Sequence, residues 1–193
     1  MKIAIGASAS SKKWKNQHIE WGDFVKKLQT PKIADETYAE YISAPKDKQA
    51  SIKDVGGYVA GELKDGQRGH KNVICRSALT LDLDFANAQF WDDFILFFGC
   101  EAVLHSTHTH SVGTPRFRLI IPLSREVAGA EYEPLARKIA GYLGIDKFDR
   151  TTFDPARLMF WPSASKDGDW VFQHQKGDYL SPDEYLNEYK DWR

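Results

Sequence analysis

The sequence is poor in cysteine and has no long apolar run. Only two of its 193 residues are cysteines, Cys75 and Cys100, which are too few for a disulfide framework or a cysteine zinc module. The most apolar run, residues 94–100, meets Glu101 well short of the roughly 20 residues that cross a bilayer. We therefore expect a protein of a reducing cytoplasm that has no membrane partner.

The sequence also lacks a strong net charge, since its formal value is -1. This value excludes a globally basic surface, so any nucleic-acid site must be a local patch. Hydrophobic residues make up 42% of the chain, enough to bury a full core, and we expect a single domain over residues 1–193. Within it we distinguish an N-terminal α/β part (1–52), a core (53–162) and a C-terminal strand and helix (163–193).

Apolar and polar residues alternate without a break over residues 79–85. This pattern predicts a β-strand whose apolar members, Phe85 included, point into the core. Asp82 and Asp84 then share the opposite face, about 6–7 Å apart, where like charges repel unless a cation lies between them. Aspartate is uncommon in strands, so we favour a divalent metal site over a solvated face that happens to carry two acids.

Helices and strands are expected on both sides of this strand. Polar, lysine-rich residues 46–53 predict a solvated connector, and Asp65-Gly66 predicts a two-residue hairpin turn. The aromatics of residues 90–98 are expected in the core. Periodicity predicts helices near residues 20–29, 36–43, 90–98 and 132–143 and from 181 onward, and strands near 2–7, 58–64, 72–76, 79–85, 102–110, 116–123, 157–161 and 170–174.

A second polar cluster is expected where two strands meet at a turn. Ser106, His108 and His110 alternate on one strand, and Arg116 and Arg118 share a face of the next. Arginine binds phosphate oxygens through paired hydrogen bonds, and histidine donates in either charge state. The cluster therefore suits a polyphosphate, although a hairpin end with scattered polar residues explains it slightly better when it is taken alone.

Basic residues around a glycine-rich segment form a weaker group. Lys53, Arg68, Lys71 and Arg76 flank glycines at 56–61 that would let a phosphate backbone approach closely. Glycine in strands more often marks bulges and turns. We treat these four residues as weak candidates for nucleic-acid or nucleotide contact.

Taken together, these parts suit metal-assisted nucleotidyl transfer. The parts are the aspartate pair, the histidine and arginine cluster, and the later Asp154 with Arg157. The acidic groups would bridge two metal ions roughly 3.5–4 Å apart. One ion would activate an attacking 3′-hydroxyl, and the other would hold the triphosphate and its leaving pyrophosphate. Arginine and histidine would neutralise the charge that develops on the phosphates.

Three motifs in this order resemble those of the archaeo-eukaryotic primase (AEP) superfamily. Leu81-Asp82-Leu83-Asp84 is similar to its DxD motif, and Ser106-Thr107-His108 to its small-x-His motif. Phe153-Asp154 is similar to its third motif, a hydrophobic residue followed by an acid. Residues 53–162 resemble the primase-polymerase domains at the N-terminus of phage, plasmid and mobile-element replication proteins.

The resemblance implies a fold and an activity. The fold would be α+β, with an RRM-like antiparallel sheet flanked by helices and an additional N-terminal α/β unit. The activity would be template-dependent primer synthesis or extension with Mg²⁺ or Mn²⁺ in a two-metal site. Expected partners are nucleoside triphosphates, a single-stranded DNA template and primer, and a helicase domain or separate helicase, in the cytoplasm of a bacterial or archaeal host.

The resemblance also implies roles for individual residues. Asp82, Asp84 and Asp154 would be the catalytic metal ligands, and His108 would contact the incoming nucleotide. His110 and Arg118 compete for that last role, because in many members the histidine opens the strand after the turn. The expected nucleotide-binding set is Ser106, His108, His110, Arg116, Arg118 and Arg157.

Two other functions compete with this one. A rolling-circle HUH endonuclease would use His108 and His110 as metal ligands, but it normally has a bulky apolar residue where this chain has Thr109. Such an enzyme also needs a nucleophilic tyrosine, and Tyr185 and Tyr189 lack convincing spacing. A non-catalytic module that binds single strands or an origin would use aromatics and arginines on a sheet, with no need for the acids to converge.

Overall fold

The computed structural model of the chain describes residues 1–191, and the last two residues of the predicted C-terminal part lie outside them. The strands are β1 (Lys2–Gly6), β2 (Lys15–His18), β3 (Lys32–Ile33), β4 (Gly57–Val59), β5 (Gly61–Leu63), β6 (Val73–Leu83), β7 (Ala102–Ser106), β8 (Phe117–Ala128), β9 (Met159–Phe160), β10 (Ser163–Ala164) and β11 (Phe172–Gln175). The helices are α1 (Trp21–Gln29), α2 (Tyr38–Ser43), α3 (Lys46–Lys53), α4 (Phe90–Phe97), α5 (Gly129–Leu143) and α6 (Pro182–Leu186). Within the described residues, no helix has both the length and the apolar character that a bilayer span requires.

A five-stranded antiparallel sheet in the order β11-β7-β8-β6-β5 lies at the centre. On one face, Leu79, Leu81 and Leu83 of β6 enter an apolar cluster with residues of α4, α5 and α6. The alternation predicted for this strand is confirmed for these leucines. Phe85 is instead 71% exposed, because β6 ends at Leu83 and the chain bends away.

The opposite face of the sheet packs against the N-terminal part of the chain. Ala78, Val103 and Ile120 contact an apolar cluster that includes Phe24 and Leu28 of α1. A second sheet in the order β2-β1-β4-β9 contributes to the same cluster. We call this side of the five-stranded sheet the Asp82 face, because the side chain of Asp82 belongs to it.

The strand predicted over residues 58–64 is two strands in two sheets. β4 pairs with β1 and β9, and β5 pairs with β6, with Ala60 between them. Asp65 and Gly66 both have positive φ values, 54° and 64°, as the predicted turn requires. The connection nevertheless extends to Asn72, so the hairpin is confirmed but its two-residue loop is wrong.

The connector predicted over residues 46–53 is wrong, since these residues form α3. The segment contains several good helix formers, and Gln49 ties it to α2. The Gln49 side chain donates to the carbonyl oxygens of Ile42 and Ala44, which lie at the C-terminal end of α2. This capping by a residue of the next helix is a tertiary contact that charge composition does not reveal.

The aromatics of α4 are only partly in the core. Phe90 and Phe94 are fully buried, as predicted, but Ile95 is 42% and Phe97 63% exposed. Residues four apart share one helix face, so Phe90 and Phe94 meet the sheet together. Ile95 and Phe97 turn toward solvent, whereas Phe98, just past the end of α4, returns to the core at 4% exposed.

Arg76 is fully buried rather than available to a nucleic acid. Its guanidinium donates to the carbonyl oxygens of Ala60 and Pro155 and to Thr80 Oγ1. It also lies 4.0 Å from the ring centroid of Tyr132. The charge at this position therefore joins β6 to the segment that follows Asp154.

Replacing Arg76 with methionine is expected to lower the free energy of unfolding by about 3–5 kcal/mol, because buried carbonyl oxygens lose their donors. Urea unfolding measures this change. Lys71→Ala, on the exposed turn before β6, should change it by less than about 0.5 kcal/mol. Equal, small effects of the two substitutions would contradict a structural role for Arg76.

Candidate active site

A cavity of about 410 Å³ opens on the Asp82 face, where the ends of β6, β7 and β8 meet the segment that leads into β10. Five basic and three acidic side chains border it, which leaves an excess of positive charge. Its charged and hydrogen-bonding side chains are Lys53, Arg68, Asp82, Asp84, His105, Ser106, Thr107, His108, Thr109, Arg116, Arg118, Asp149, Arg157, Trp161 and Ser163.

Asp82 and Asp84 both border the cavity, and each binds an arginine of the neighbouring chain segment. Arg118 lies opposite Asp82 in the β6–β8 register, and its Nε donates to Asp82 Oδ1 at 2.8 Å. Arg116, just before β8, donates to Asp84 Oδ1 at 2.8 Å. These arginines relieve the repulsion between the two carboxylates that the sequence pattern implied.

Arg118 is held rigidly at the floor of the cavity. Its side chain is 7% exposed, and its Nη1 donates to the carbonyl oxygen of Phe160 at 2.6 Å. Burial alone would lower the pKa of Arg118, but Asp82 and Tyr58 beside it raise the pKa above its usual value. The guanidinium therefore stays charged.

The third acid at the cavity is Asp149. Its backbone N–H donates to the carbonyl oxygen of Asp82 at 3.0 Å, which fixes the loop against the end of β6. Its Oδ2 accepts from Arg157 Nη2 at 2.8 Å, and the same nitrogen lies 3.7 Å from Asp82 Oδ2. Arg157 thus bridges two carboxylates, whereas Arg118 and Arg116 each pair with one.

Asp154 lies outside the cavity. Its side chain is 48% exposed, and its Oδ1 accepts from the backbone N–H of Ala156 at 2.9 Å and lies 3.1 Å from His70 Nδ1. A short 3₁₀ helix, Arg150–Phe153, separates it from Asp149. The structure therefore does not bring Asp154 to Asp82 and Asp84. The pattern of a hydrophobic residue followed by an acid also occurs at Phe148-Asp149, so the sequence does carry a signal for the acid that borders the cavity.

His108 borders the cavity, with both ring nitrogens held by other side chains. Nδ1 lies 2.9 Å from Ser163 Oγ, and Nε2 lies 3.1 Å from Glu36 Oε1. The ring of Tyr41 packs at 4.4 Å between centroids. Burial lowers the pKa of His108 despite the nearby Glu36. Glu36 and Tyr41 belong to the N-terminal part, and nothing in their local sequence indicates this contact.

β7 ends at Ser106, so the strand predicted over residues 102–110 is too long. His110 lies in the connection to β8, two residues after His108. Its Nδ1 accepts from the backbone N–H of Arg116 at 3.1 Å, and its ring packs 5.0 Å from that of Phe117. It does not border the cavity. The two histidines therefore do not converge in the way an HUH metal site requires.

The remaining predicted residues differ in their position. Ser106 is fully buried, and its Oγ accepts from the backbone N–H of Val171. Lys53 borders the cavity, and burial lowers its pKa. Arg68 borders the cavity as well, whereas Lys71 is exposed on the turn before β6 and does not.

His105 borders the cavity but escapes the sequence analysis, because it lies inside an apolar strand. It is 1% exposed and lies opposite Arg118 in the β7–β8 register. Its Nδ1 lies 2.8 Å from the carbonyl oxygen of Ser106, and its ring stacks on Trp170 at 5.5 Å. The available signal is strand parity, since Val103 on the same strand also faces the Asp82 side.

The carboxylates suit a divalent ion only together with other ligands. Among residues 1–191, no three histidine, cysteine, aspartate or glutamate side chains lie close enough to hold a metal ion. Mg²⁺ is commonly bound through one or two carboxylates, with water and substrate phosphates completing its shell. Asp82 and Asp84 fit that arrangement, whereas they do not form an all-protein cage with Asp154.

The free energy of unfolding should decrease as the pH is lowered, because His105 is buried in its neutral form. Burial lowers the pKa of His105 from 6.5 to about 3, so below pH 6.5 the unfolded chain binds a proton that the folded protein does not, and stability is lost down to about pH 3. Between about pH 7 and about pH 5, the free energy of unfolding of the wild type should fall by about 2 kcal/mol more than that of His105→Gln. Urea unfolding at both pH values measures this difference, and parallel declines would contradict a neutral buried imidazole.

The fold and the family of the chain are established by comparison. The structure is similar to the AEP domain of the cyanophage S-2L primase-polymerase (PrimPol), with a TM-score of 0.52 and 12% sequence identity over 96% of this chain and 86% of that one. This likeness concerns the fold, and it confirms the α+β primase-polymerase architecture expected from the motifs. No curated protein matches the sequence. A family profile described as the VapE N-terminal domain matches residues 1–193, and the chain belongs to that family.

Proposed function

We propose that this domain catalyses template-dependent nucleotidyl transfer, and that it makes or extends primers in the replication of a phage, plasmid or mobile element. One observation carries the proposal. Asp82 and Asp84 share a single cavity with Arg116, Arg118 and Arg157, on a fold similar to that of a primase-polymerase domain. Carboxylates for a divalent ion and arginines for phosphates are the groups that phosphoryl transfer needs.

The excess positive charge of the cavity supports binding of a nucleoside triphosphate. Arg116, Arg118 and Arg157 each pair with a carboxylate in the structure, and guanidinium groups bind phosphate oxygens in the same paired geometry. Lys53 adds a fourth cation at the cavity. An incoming triphosphate would replace some of the carboxylates as the ion-pair partner of these arginines.

Asp82 and Asp84 are the residues that would hold Mg²⁺ or Mn²⁺, with the remaining ligands supplied by water and phosphates. When bound, such an ion would promote deprotonation of the primer 3′-hydroxyl and offset charge on the reacting phosphates. For the two-ion arrangement implied by the resemblance, Asp149 is the further carboxylate at the cavity. We do not carry the metal role to Asp154, because its carboxylate is engaged elsewhere.

The arginines would stabilise the transition state and the pyrophosphate. Arg118 is fixed by Asp82 and by the carbonyl oxygen of Phe160, so its charge is already oriented before substrate arrives. Preorganised charges of this kind contribute more than mobile ones, since they need no reorientation during the reaction. His108 would contact the nucleotide by exchanging its bond to Glu36 for one to the ligand.

A single-stranded DNA template and primer are the proposed macromolecular substrates, and a helicase partner remains a prediction. The main rival is a non-catalytic module that binds single strands. The pair of acids inside the cavity favours the enzyme, because a module that only binds a polyanion gains nothing from carboxylates at its centre.

Asp84→Asn should reduce primer extension by on the order of 100-fold, because it removes a charged ligand at the reacting phosphates. The assay uses a primed single-stranded template, labelled nucleotides and Mg²⁺ or Mn²⁺. Asp183→Asn is the matched control, since Asp183 also pairs with an arginine, Arg125, on another part of the surface, and it should extend as the wild type does. An inactive wild type that still binds single strands would support the module, and full activity of Asp84→Asn would refute the proposed site.

A second pair of variants tests whether Asp149 or Asp154, each preceded by a phenylalanine, is the third acid of the site. Asp149→Asn should lower the extension rate by about 10-fold or more, since Asp149 borders the cavity and orients Arg157. Asp154→Asn should leave the rate within about twofold, because its carboxylate bonds outside the cavity. Rates are measured under the conditions of the previous assay. The reverse order of effects would restore Asp154 as the third acid.

A further inference from the structure

Two buried polar atoms at the cavity have no hydrogen-bond partner among the described residues. They are His105 Nε2 and Arg157 Nε. A buried polar atom without a partner lowers stability, so native proteins seldom keep one without a reason. Both residues border the same cavity, which makes a bound ligand the natural source of the missing partners.

The chemistry of the His105 atom restricts which ligand group fits it. Its Nδ1 faces the carbonyl oxygen of Ser106 at 2.8 Å. A carbonyl can only accept, so Nδ1 carries the proton and Nε2 presents a lone pair. Burial lowers the pKa of His105 to about 3, so the ring stays neutral. The partner must therefore be a hydrogen-bond donor, which excludes ionised phosphate oxygens.

His105 lies on the far side of Arg118 from Asp82. Asp82, Arg118 and His105 lie opposite one another on three adjacent strands, β6, β8 and β7. Two strand spacings place the His105 backbone about 10 Å from that of Asp82. A nucleotide with its phosphates at Asp82 and the arginines would reach toward His105 with its sugar and base. The stack on Trp170 holds the imidazole in this orientation.

Building on the proposed function, we propose that His105 Nε2 accepts a hydrogen bond from a sugar hydroxyl of the incoming nucleotide, which makes His105 a specificity-determining residue. A base amino group keeps one hydrogen outside pairing. Nucleotides that share adenine and differ only in their sugar hydroxyls separate that donor from the sugar.

The test is equilibrium binding of ATP, dATP and 2′,3′-dideoxy-ATP to the full chain, measured by competition with a fluorescent nucleotide in the presence of Mn²⁺. The wild type should bind the nucleotide that has the recognised hydroxyl about 5- to 10-fold more tightly than the one lacking it. His105→Phe keeps an aromatic ring against Trp170 but removes the acceptor, so it should lose this preference. His105→Gln places a carbonyl oxygen near the former Nε2 and should retain it.

Two results would overturn the proposal. One is an equal loss of affinity for all three nucleotides in His105→Phe, which is the pattern of a merely structural residue. The other is an unchanged sugar preference in that variant. If His105→Phe does not fold, as judged by circular dichroism, His105→Asn replaces it, because its shorter amide does not reach the Nε2 position.

The same samples distinguish this proposal from the proposed function. If the wild type extends primers but shows no sugar preference that depends on His105, the role of His105 is refuted and the proposed nucleotidyl transfer stands. If binding shows a sugar preference that depends on His105 but no primer is extended, the role of His105 is supported and the proposed catalytic activity is refuted. A wild type that binds none of the three nucleotides overturns both.

Discussion

A buried ion pair across two neighbouring strands is the contact on which the site depends. Arg118 Nε on β8 donates to Asp82 Oδ1 on β6 at 2.8 Å, and the two side chains are only 7% and 11% exposed. Removing one member of such a pair leaves an uncompensated buried charge, which strongly destabilises a protein. A slip of one residue between the strands would separate this pair and would also turn the leucines of β6 away from their core. Charge pairing and apolar burial therefore fix the same register.

The two faces of the sheet change character at different points along β6, and this difference creates the cavity. Toward α4 and α5 the strand stays apolar through Leu81 to Leu83. On the Asp82 face the apolar contacts with α1 include Ala78, and the next side chains on that face are Thr80 and Asp82. One face thus anchors the strand while the other presents charge at its end. The N-terminal part covers this face only partly, so the charged end remains open to a ligand.

The local patterns of the sequence predict what local geometry determines, and they miss what tertiary contacts determine. Asp82 and Asp84 reach one cavity, as strand alternation indicates, because alternation is a property of the strand itself. Their arginine partners come from β8 and the residue before it, 36 residues along the chain for Arg118, and charge patterning along β6 cannot reveal them. Tertiary contacts also decide which of Asp149 and Asp154 reaches the cavity. A phenylalanine precedes each of them, and long-range contacts such as the backbone bond from Asp149 to Asp82 bring one acid to the cavity.

The pairing of acids with arginines has a consequence for how the proposed enzyme would take up its metal. A free divalent ion at Asp82 and Asp84 competes with guanidinium groups that already neutralise both carboxylates. A metal-bound triphosphate differs, because its remaining negative charge gives the displaced arginines a new partner. Exchange of Arg116 and Arg157 from carboxylate to phosphate would free carboxylate oxygens for the ion and would leave no charge unpaired. Under the proposed function, this electrostatic balance favours joint binding of ion and nucleotide over binding of the ion alone.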